Sequence, residues 1–155
     1  MKVILPGSYD PVTIGHLEII KKAASLYSKV YAVAFINPQK KYMFTKEERV
    51  AMLKLAAENL ENVTIDSSDG YVIDYMREHG IEKIVKGYRN QDDLDYEKAQ
   101  AEWNLKNGGY ETEFWLCESK FADVSSTRAR AVIGEGGDFL ELLPPKVADF
   151  IKNRS

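Results

Sequence analysis

Five short apolar runs alternate with helical segments along the chain, and this alternation limits the fold more than any other feature of the sequence. The runs cover residues 2–5, 30–36, 63–65, 84–86 and 112–116. Strands that are almost continuously apolar are typical of a parallel sheet covered on both faces. With helices between the strands, the pattern predicts an α/β fold with a doubly wound, five-stranded parallel sheet.

Capping and breaking residues place the helices. Thr45 and Glu48 have the spacing of a capping box, which predicts a helix from there to about Asn59. Further helices are predicted over residues 15–27, 72–79 and 92–107, from residue 125, and from the Pro144-Pro145 pair through residue 151. No repeat or long linker divides the chain, so we expect a single domain over residues 1–155.

Composition argues against two classes of partner. Hydrophobic residues make up 45% and charged residues 29% of the chain. There is no apolar run of about 18 residues and no signal-peptide pattern, so we expect a cytoplasmic protein with no membrane partner. A formal net charge of −3 argues against nucleic acid as a partner, because proteins that bind nucleic acid are usually basic.

Several familiar site types are missing from the sequence. The single cysteine, Cys117, allows no internal disulfide and no CxxC metal site, and its apolar neighbours predict a buried strand residue. There is no P-loop and no HExxH pattern. Residues 134–137 are GEGG, which fails the dinucleotide-binding pattern because Phe139 stands where a glycine is required. We therefore expect no metal site built by the protein.

Residues 7–16 have the sequence GSYDPVTIGH and separate an apolar run from an amphipathic segment, which predicts strand, loop and helix. A loop that leads into a helix offers free N–H groups and the positive end of the helix dipole, and both suit a phosphate. His16 stands at that helix start. On physical grounds alone, the alternative is an ordinary turn followed by a helix-start histidine.

Three more segments should meet this loop, because ligands of a doubly wound sheet bind outside the carboxyl ends of its strands. They cover residues 37–43, 87–91 and 118–127. In or beside them stand cations and hydroxyls that suit phosphate groups: Lys40, Lys41, Lys86, Arg89, Ser125, Ser126, Thr127, Arg128 and Arg130. Taken separately, each has a simpler explanation as a solvated charge or a helix N-cap.

The amino-acid sequences of these segments resemble those of one enzyme family. Residues 7–16 are similar to the GxFDP and (H/T)xGH elements of the nucleotidyltransferase superfamily, and Thr13 is typical of its phosphopantetheine adenylyltransferases. The family's later elements resemble NPQKKYMFTKEER at 37–49, KGYR at 86–89, DLDYE at 93–97 and VSSTRAR at 124–130. Three departures are Lys86 in place of an arginine, Ile14 in place of an asparagine, and one residue fewer ahead of the serines. The resemblance implies a Rossmann-like single domain.

It also implies an activity and a site. The expected reaction transfers the adenylyl group of ATP to 4′-phosphopantetheine, giving dephospho-coenzyme A and pyrophosphate. By resemblance, His16 stabilises the transition state, and the acceptor is bound by Ser8, Lys40, Val72 and Lys86. The residues expected to bind ATP are Ser8, Tyr9, His16, Gly87, Tyr88, Arg89, Glu97, Phe121, Ala122, Asp123, Val124, Ser125, Ser126 and Thr127.

The family resemblance brings further expectations, and two alternatives stay open. Mg²⁺ should accompany ATP, the assembly should be a homohexamer, and coenzyme A should act as a feedback inhibitor. The Ser-Ser-Thr-x-x-Arg pattern at residues 125–130 also occurs in enzymes that adenylylate nicotinate or nicotinamide mononucleotide. A non-catalytic nucleotide-binding domain is the second alternative.

Overall fold

The first strand lies at the centre of the sheet. The computed structural model describes residues 1–154, and its strands are β1 (Lys2–Gly7), β2 (Lys29–Phe35), β3 (Val63–Ser68), β4 (Lys83–Tyr88) and β5 (Thr112–Leu116). Their spatial order is β3-β2-β1-β4-β5, and every neighbouring pair is parallel. This arrangement confirms the predicted doubly wound five-stranded α/β fold.

The helices start within one residue of their predicted starts. They are α1 (Ile14–Leu26), α2 (Lys46–Ala56), α3 (Val72–His79), α4 (Gln91–Gly108), α5 (Ser126–Gly134) and α6 (Pro145–Asn153). At α2 the Glu48 N–H donates to Thr45 Oγ1 and the Thr45 N–H donates to Glu48 Oε1, which confirms the capping box. The helix ends at Ala56 rather than near Asn59, because the Leu60 N–H turns back to the Ala57 carbonyl.

Three strands run further than predicted, and one residue lies elsewhere. β1 continues past Leu5 to Gly7, where it still pairs with β2. β3 continues to Ser68 because Asp66–Ser68 still pair with β2, although these residues are polar. β4 likewise continues to Tyr88. The prediction that Cys117 is a buried strand residue is wrong: it follows the end of β5 and is only partly buried, and its N–H donates to the Tyr88 carbonyl.

The alternation of side chains along β1 supplies two cores. Val3 and Leu5 face the larger one, where the buried residues of α1, α2, α5 and α6 also pack. Ile4 faces the smaller one, which includes Tyr75 and Met76 of α3. The sheet is therefore covered on both faces, as its apolar strands require. No helix among residues 1–154 is long and apolar enough to cross a membrane. The single-domain boundary at residue 155 stays a prediction, since that residue lies outside the described part of the chain.

The strand order also fixes where a ligand binds. The chain builds β1, β2 and β3 towards one edge, and then returns to place β4 on the other side of β1. The loops that follow β1 and β4 therefore diverge, and a crevice opens between them at the carboxyl end of the sheet.

Candidate active site

A cavity of about 350 Å³ lies in this crevice. All four predicted segments contribute to its wall, including Ser8, Lys40, Arg89 and Ser125. The structure thus confirms that these segments converge. A second cavity of about 880 Å³ lies beside the first. Both cavities are lined by Ser8, Lys40, Tyr42, Lys86 and Glu97, so these residues stand at the junction.

The loop after β1 holds its residues in a fixed arrangement. Tyr9 has a φ of 49°, an unusual value for a residue with a side chain. Its buried hydroxyl donates to the Leu5 carbonyl at 2.8 Å, and burial raises the pKa of Tyr9 above its usual range. The Tyr9 ring packs edge-to-face against His16 with centroids 5.0 Å apart. The Tyr9 ring therefore forms part of the cavity wall, and its hydroxyl is already hydrogen-bonded to Leu5.

His16 is held in one protonation state and one tautomer. Burial, followed by the charges of Lys86 and Arg89, lowers the pKa of His16 to about 4, so the ring is neutral at pH 7. Its Nδ1 lies 3.0 Å from the Thr13 backbone nitrogen, which can only donate, so Nδ1 accepts and Nε2 carries the proton. Because His16 lines the first cavity, the site contains an uncharged imidazole whose Nε2–H has no partner among residues 1–154.

Asp10 joins three segments of the site, a role that its motif alone did not predict. Asp10 is 2% exposed, and its carboxylate accepts hydrogen bonds from the backbone N–H groups of Met43 and Phe44, each at 2.9 Å. Arg130 Nη1 donates to the Asp10 carbonyl at 2.9 Å. A single buried side chain thus ties the loop after β1 to the start of α2, and its backbone ties that loop to α5.

Two cations at the carboxyl end of β4, Lys86 within the strand and Arg89 just after it, are each paired with a carboxylate of α4. Lys86 Nζ lies 3.3 Å from Glu97 Oε2 and donates to the Pro6 carbonyl at 3.0 Å. Arg89 Nε lies 3.1 Å from Asp93 Oδ2. Both cations line the first cavity together with their acids. Asp93 had no predicted role, and its four-residue spacing from Arg89 is the signal that points to the pair.

Lys40 differs from these two cations. It is exposed on the loop after β2, and its Nζ lies 5.9 Å from the centre of the Tyr42 ring. The Tyr42 hydroxyl accepts a hydrogen bond from the Asn37 N–H at 2.9 Å, so the ring spans the loop that carries Lys40. Tyr42, like Asp10 and Asp93, is a residue of the site to which the sequence assigned no role.

The hydroxyl residues at the start of α5 also face the first cavity. Ser125 is the N-cap, and its Oγ accepts from the Arg128 N–H at 3.0 Å. Ser126 Oγ donates to the Pro11 carbonyl at 2.8 Å. Thr127 Oγ1 accepts from Arg130 Nη2 at 3.2 Å. The prediction of a helix that opens at these hydroxyls is confirmed.

The other predicted site residues divide between the two cavities. Gly87, Tyr88, Phe121 and Val124 line the first, and Val72 lines only the second. Within residues 1–154, Ala122 and Asp123 stand outside the lining of both, and their contact with ATP stays a prediction. No group of three or more His, Cys, Asp or Glu residues forms a metal site in the same described range.

Comparison with known proteins gives a family for this arrangement. The cytidylyltransferase-like family model matches residues 4–132. A phosphopantetheine adenylyltransferase of Corynebacterium diphtheriae is 41% identical over 148 residues, which cover 95% of this chain and 93% of the relative. The enzymes of the same name from Corynebacterium efficiens and Corynebacterium glutamicum are each 39% identical over 155 residues, covering 99% of this chain and 98% and 97% of the relatives. The chain belongs to the phosphopantetheine adenylyltransferase family, within the cytidylyltransferase-like group.

Proposed function

We propose that this protein transfers the adenylyl group of ATP to 4′-phosphopantetheine, giving dephospho-coenzyme A and pyrophosphate. One observation carries the proposal: two cavities meet at a junction lined by Ser8, Lys40 and Lys86. Such a junction suits a reaction in which a phosphate from one side attacks a phosphate on the other. The names of the relatives favour phosphopantetheine over a mononucleotide as the acceptor.

Each substrate has a cavity of matching chemistry. ATP occupies the first cavity, where Arg89 and the hydroxyl turn at residues 125–127 face its phosphates. The acceptor phosphate lies at the junction between Lys40 and Lys86. The pantetheine arm extends into the second cavity along Val72, Tyr71 and Trp103. As substrates bind, their phosphates replace Glu97 and Asp93 as the partners of Lys86 and Arg89.

The chemistry needs placement more than proton transfer. An oxygen of the acceptor phosphate bonds to the α-phosphorus of ATP while the bond to the β-phosphate breaks, and pyrophosphate leaves. A phosphate monoester is already anionic at neutral pH, so no general base is required. The protein must bring two repelling anions into line and stabilise the charge that builds on the α-phosphate.

His16 supplies that stabilisation in our proposal. Its Nε2–H is a neutral donor, fixed by the hydrogen bond that Nδ1 accepts from Thr13. A donor that is set before the reaction needs no reorganisation when charge develops. Ser8 and the N-terminus of α1 assist from the same loop.

Magnesium, location, assembly and regulation complete the proposal. Mg²⁺ enters with the triphosphate as part of the substrate, and the enzyme works in the cytoplasm. A homohexamer is consistent with α4, whose 18 residues include none that is fully buried and which exposes Tyr96, Trp103 and Leu105. Coenzyme A inhibits by placing its own pantetheine arm in the second cavity. Light scattering tests the homohexamer, and activity measured with added coenzyme A tests the inhibition.

Pyrophosphate release from MgATP tests the proposed activity. Three reactions contain 4′-phosphopantetheine, nicotinate mononucleotide or nicotinamide mononucleotide as the acceptor. We expect release only with 4′-phosphopantetheine. Release only with a mononucleotide would give more weight to the Ser-Ser-Thr-x-x-Arg pattern, in which Arg130 lines the first cavity. No release from any acceptor, with ATP still bound, would indicate a non-catalytic binding domain.

A further inference from the structure

Within the part of the chain that the structure describes, Arg49 of α2 is a buried cation without a carboxylate partner. The residue is 2% exposed. Nη1 donates to the Ser8 carbonyl at 3.0 Å, and the guanidinium carbon lies 4.0 Å from the centre of the Tyr42 ring. Nε has no hydrogen-bond partner among the described residues. Among residues 1–154, no acidic oxygen forms a salt bridge with Arg49.

A charge in this position is unusual. Arginine stays protonated in proteins, and a buried charge is normally paired because its loss of hydration is costly. A carbonyl dipole and an aromatic face compensate the charge of Arg49 only in part. An anion on the other side of the Ser8–Tyr42 wall would complete the compensation, and it would be attracted strongly since little water separates the two charges.

The wall that Arg49 supports is the wall of the site. Ser8 and Tyr42 both line the two cavities, whereas Arg49 lies behind them. Ser8 belongs to the loop after β1 and Tyr42 to the loop after β2, so one guanidinium joins two of the loops that form the site. Tyr42 in turn spans the loop of Lys40 through its hydrogen bond with Asn37.

We propose that Arg49 is a positioning residue for phosphate binding, which holds Ser8 and Tyr42 in place and whose buried charge attracts phosphates bound in the cleft. This inference deepens the proposed function and rests on it. It assigns to α2 a part in binding ATP and phosphopantetheine, although Arg49 touches neither cavity. Because charge is the central element, the binding of phosphates should depend on Arg49 more than the binding of an uncharged nucleoside does.

The test separates charge from structure. Arg49→Gln keeps a donor for the Ser8 carbonyl but removes the charge, and Arg49→Lys keeps the charge but loses the planar fork. Arg77→Gln is the matched control, because Arg77 is exposed and pairs with Asp74 on α3. Calorimetry measures the binding of MgATP and of adenosine to each folded variant. We expect Arg49→Gln to weaken MgATP about tenfold while adenosine changes little, and Arg49→Lys to retain most of the MgATP affinity.

Two outcomes would overturn the inference: unchanged MgATP binding in Arg49→Gln, or equal weakening of MgATP and adenosine, which would show a merely structural role. If Arg49→Gln does not fold, Arg49→Met gives the same comparison of charge. Failure of the proposed function is distinct, since it appears as the absence of phosphopantetheine-dependent pyrophosphate release from the unmodified protein.

Discussion

The Thr13 backbone N–H donates to Nδ1 of His16 at 3.0 Å, while Thr13 Oγ1 accepts from the His16 N–H at 3.3 Å. Thr13 and His16 therefore cap α1 together, and the same contacts select the tautomer of the His16 ring. The same turn that starts the helix thus leaves the proton on Nε2, which has no partner among the described residues.

Replacing His16 should affect the rate much more than ATP binding. A donor that acts mainly in the transition state contributes roughly 100- to 1000-fold to turnover, so we expect His16→Ala to lower kcat by that factor. Steady-state kinetics and calorimetry with MgATP measure the two effects separately. A variant with normal kcat would rule out this role, and a variant that no longer binds ATP would make His16 a binding residue instead.

Acid should destabilise the protein in part through His16. The pKa of His16 is about 4 in the native state and 6.5 ordinarily, so the unfolded chain takes up a proton first as the pH falls. The contribution to the free energy of unfolding is complete above pH 6.5 and is lost as the pH falls towards 4. Urea unfolding at about pH 7 and about pH 5 should show a smaller loss for His16→Gln than for the unmodified protein. Equal losses would contradict the lowered pKa.

The lysines at the junction of the cavities should determine how tightly the enzyme binds the acceptor. We expect Lys40→Ala and Lys86→Ala to raise KM for phosphopantetheine about tenfold, since each removes a charged contact to its phosphate, and to leave the Kd of MgATP almost unchanged. Lys54→Ala, an exposed change on α2, is the control. A larger loss of MgATP than of phosphopantetheine would mean that the two substrates occupy the opposite cavities.

Asp10 should matter for both stability and binding. In Asp10→Asn, an amide nitrogen replaces one of the oxygens that accept from Met43 and Phe44, and one buried N–H loses its partner. We expect a loss of about 1–3 kcal/mol in the free energy of unfolding, together with a raised KM for phosphopantetheine because the Lys40 loop is no longer held.

A change of similar size elsewhere provides the comparison for Asp10→Asn. Thr45→Ala removes the cap of α2, which should cost about 1 kcal/mol while KM stays unchanged, because Thr45 lies outside the cavities. Urea unfolding and steady-state kinetics of both variants decide the matter. If KM rises equally in both, loss of stability alone explains the effect and Asp10 has no specific part in holding the loop.

Local signals predicted most of the fold. The apolar runs, the Thr45–Glu48 capping box and the hydroxyls before α5 depend on neighbouring residues, so a single sequence contains the information. The convergence of four loops also followed, because parallel strands place their carboxyl ends at one edge. The sequence did not predict where α2 ends, because a local turn decides it. Nor did it predict how far β3 extends, because pairing with β2 decides that rather than the hydrophobic pattern.

The connections within the site were harder to predict. Asp10 contacts Met43 and Phe44, more than thirty positions away, and the burial of Arg49 depends on the packing of α2 against the loop after β1. No periodicity encodes such contacts. The pairing of Lys86 with Glu97 was likewise hidden, because both residues were assigned to substrates and not to each other.

An anion that binds the cations of the cleft must displace the carboxylates of α4. Glu97 and Asp93 already satisfy Lys86 and Arg89, at 3.3 and 3.1 Å. A chloride ion would gain little by taking their place, since it offers one charge and no directed oxygens. A phosphate ester offers more charge and several acceptors, so it can displace them. Any anion that binds these cations must therefore offset the loss of two ion pairs, which a phosphate group can do better than chloride.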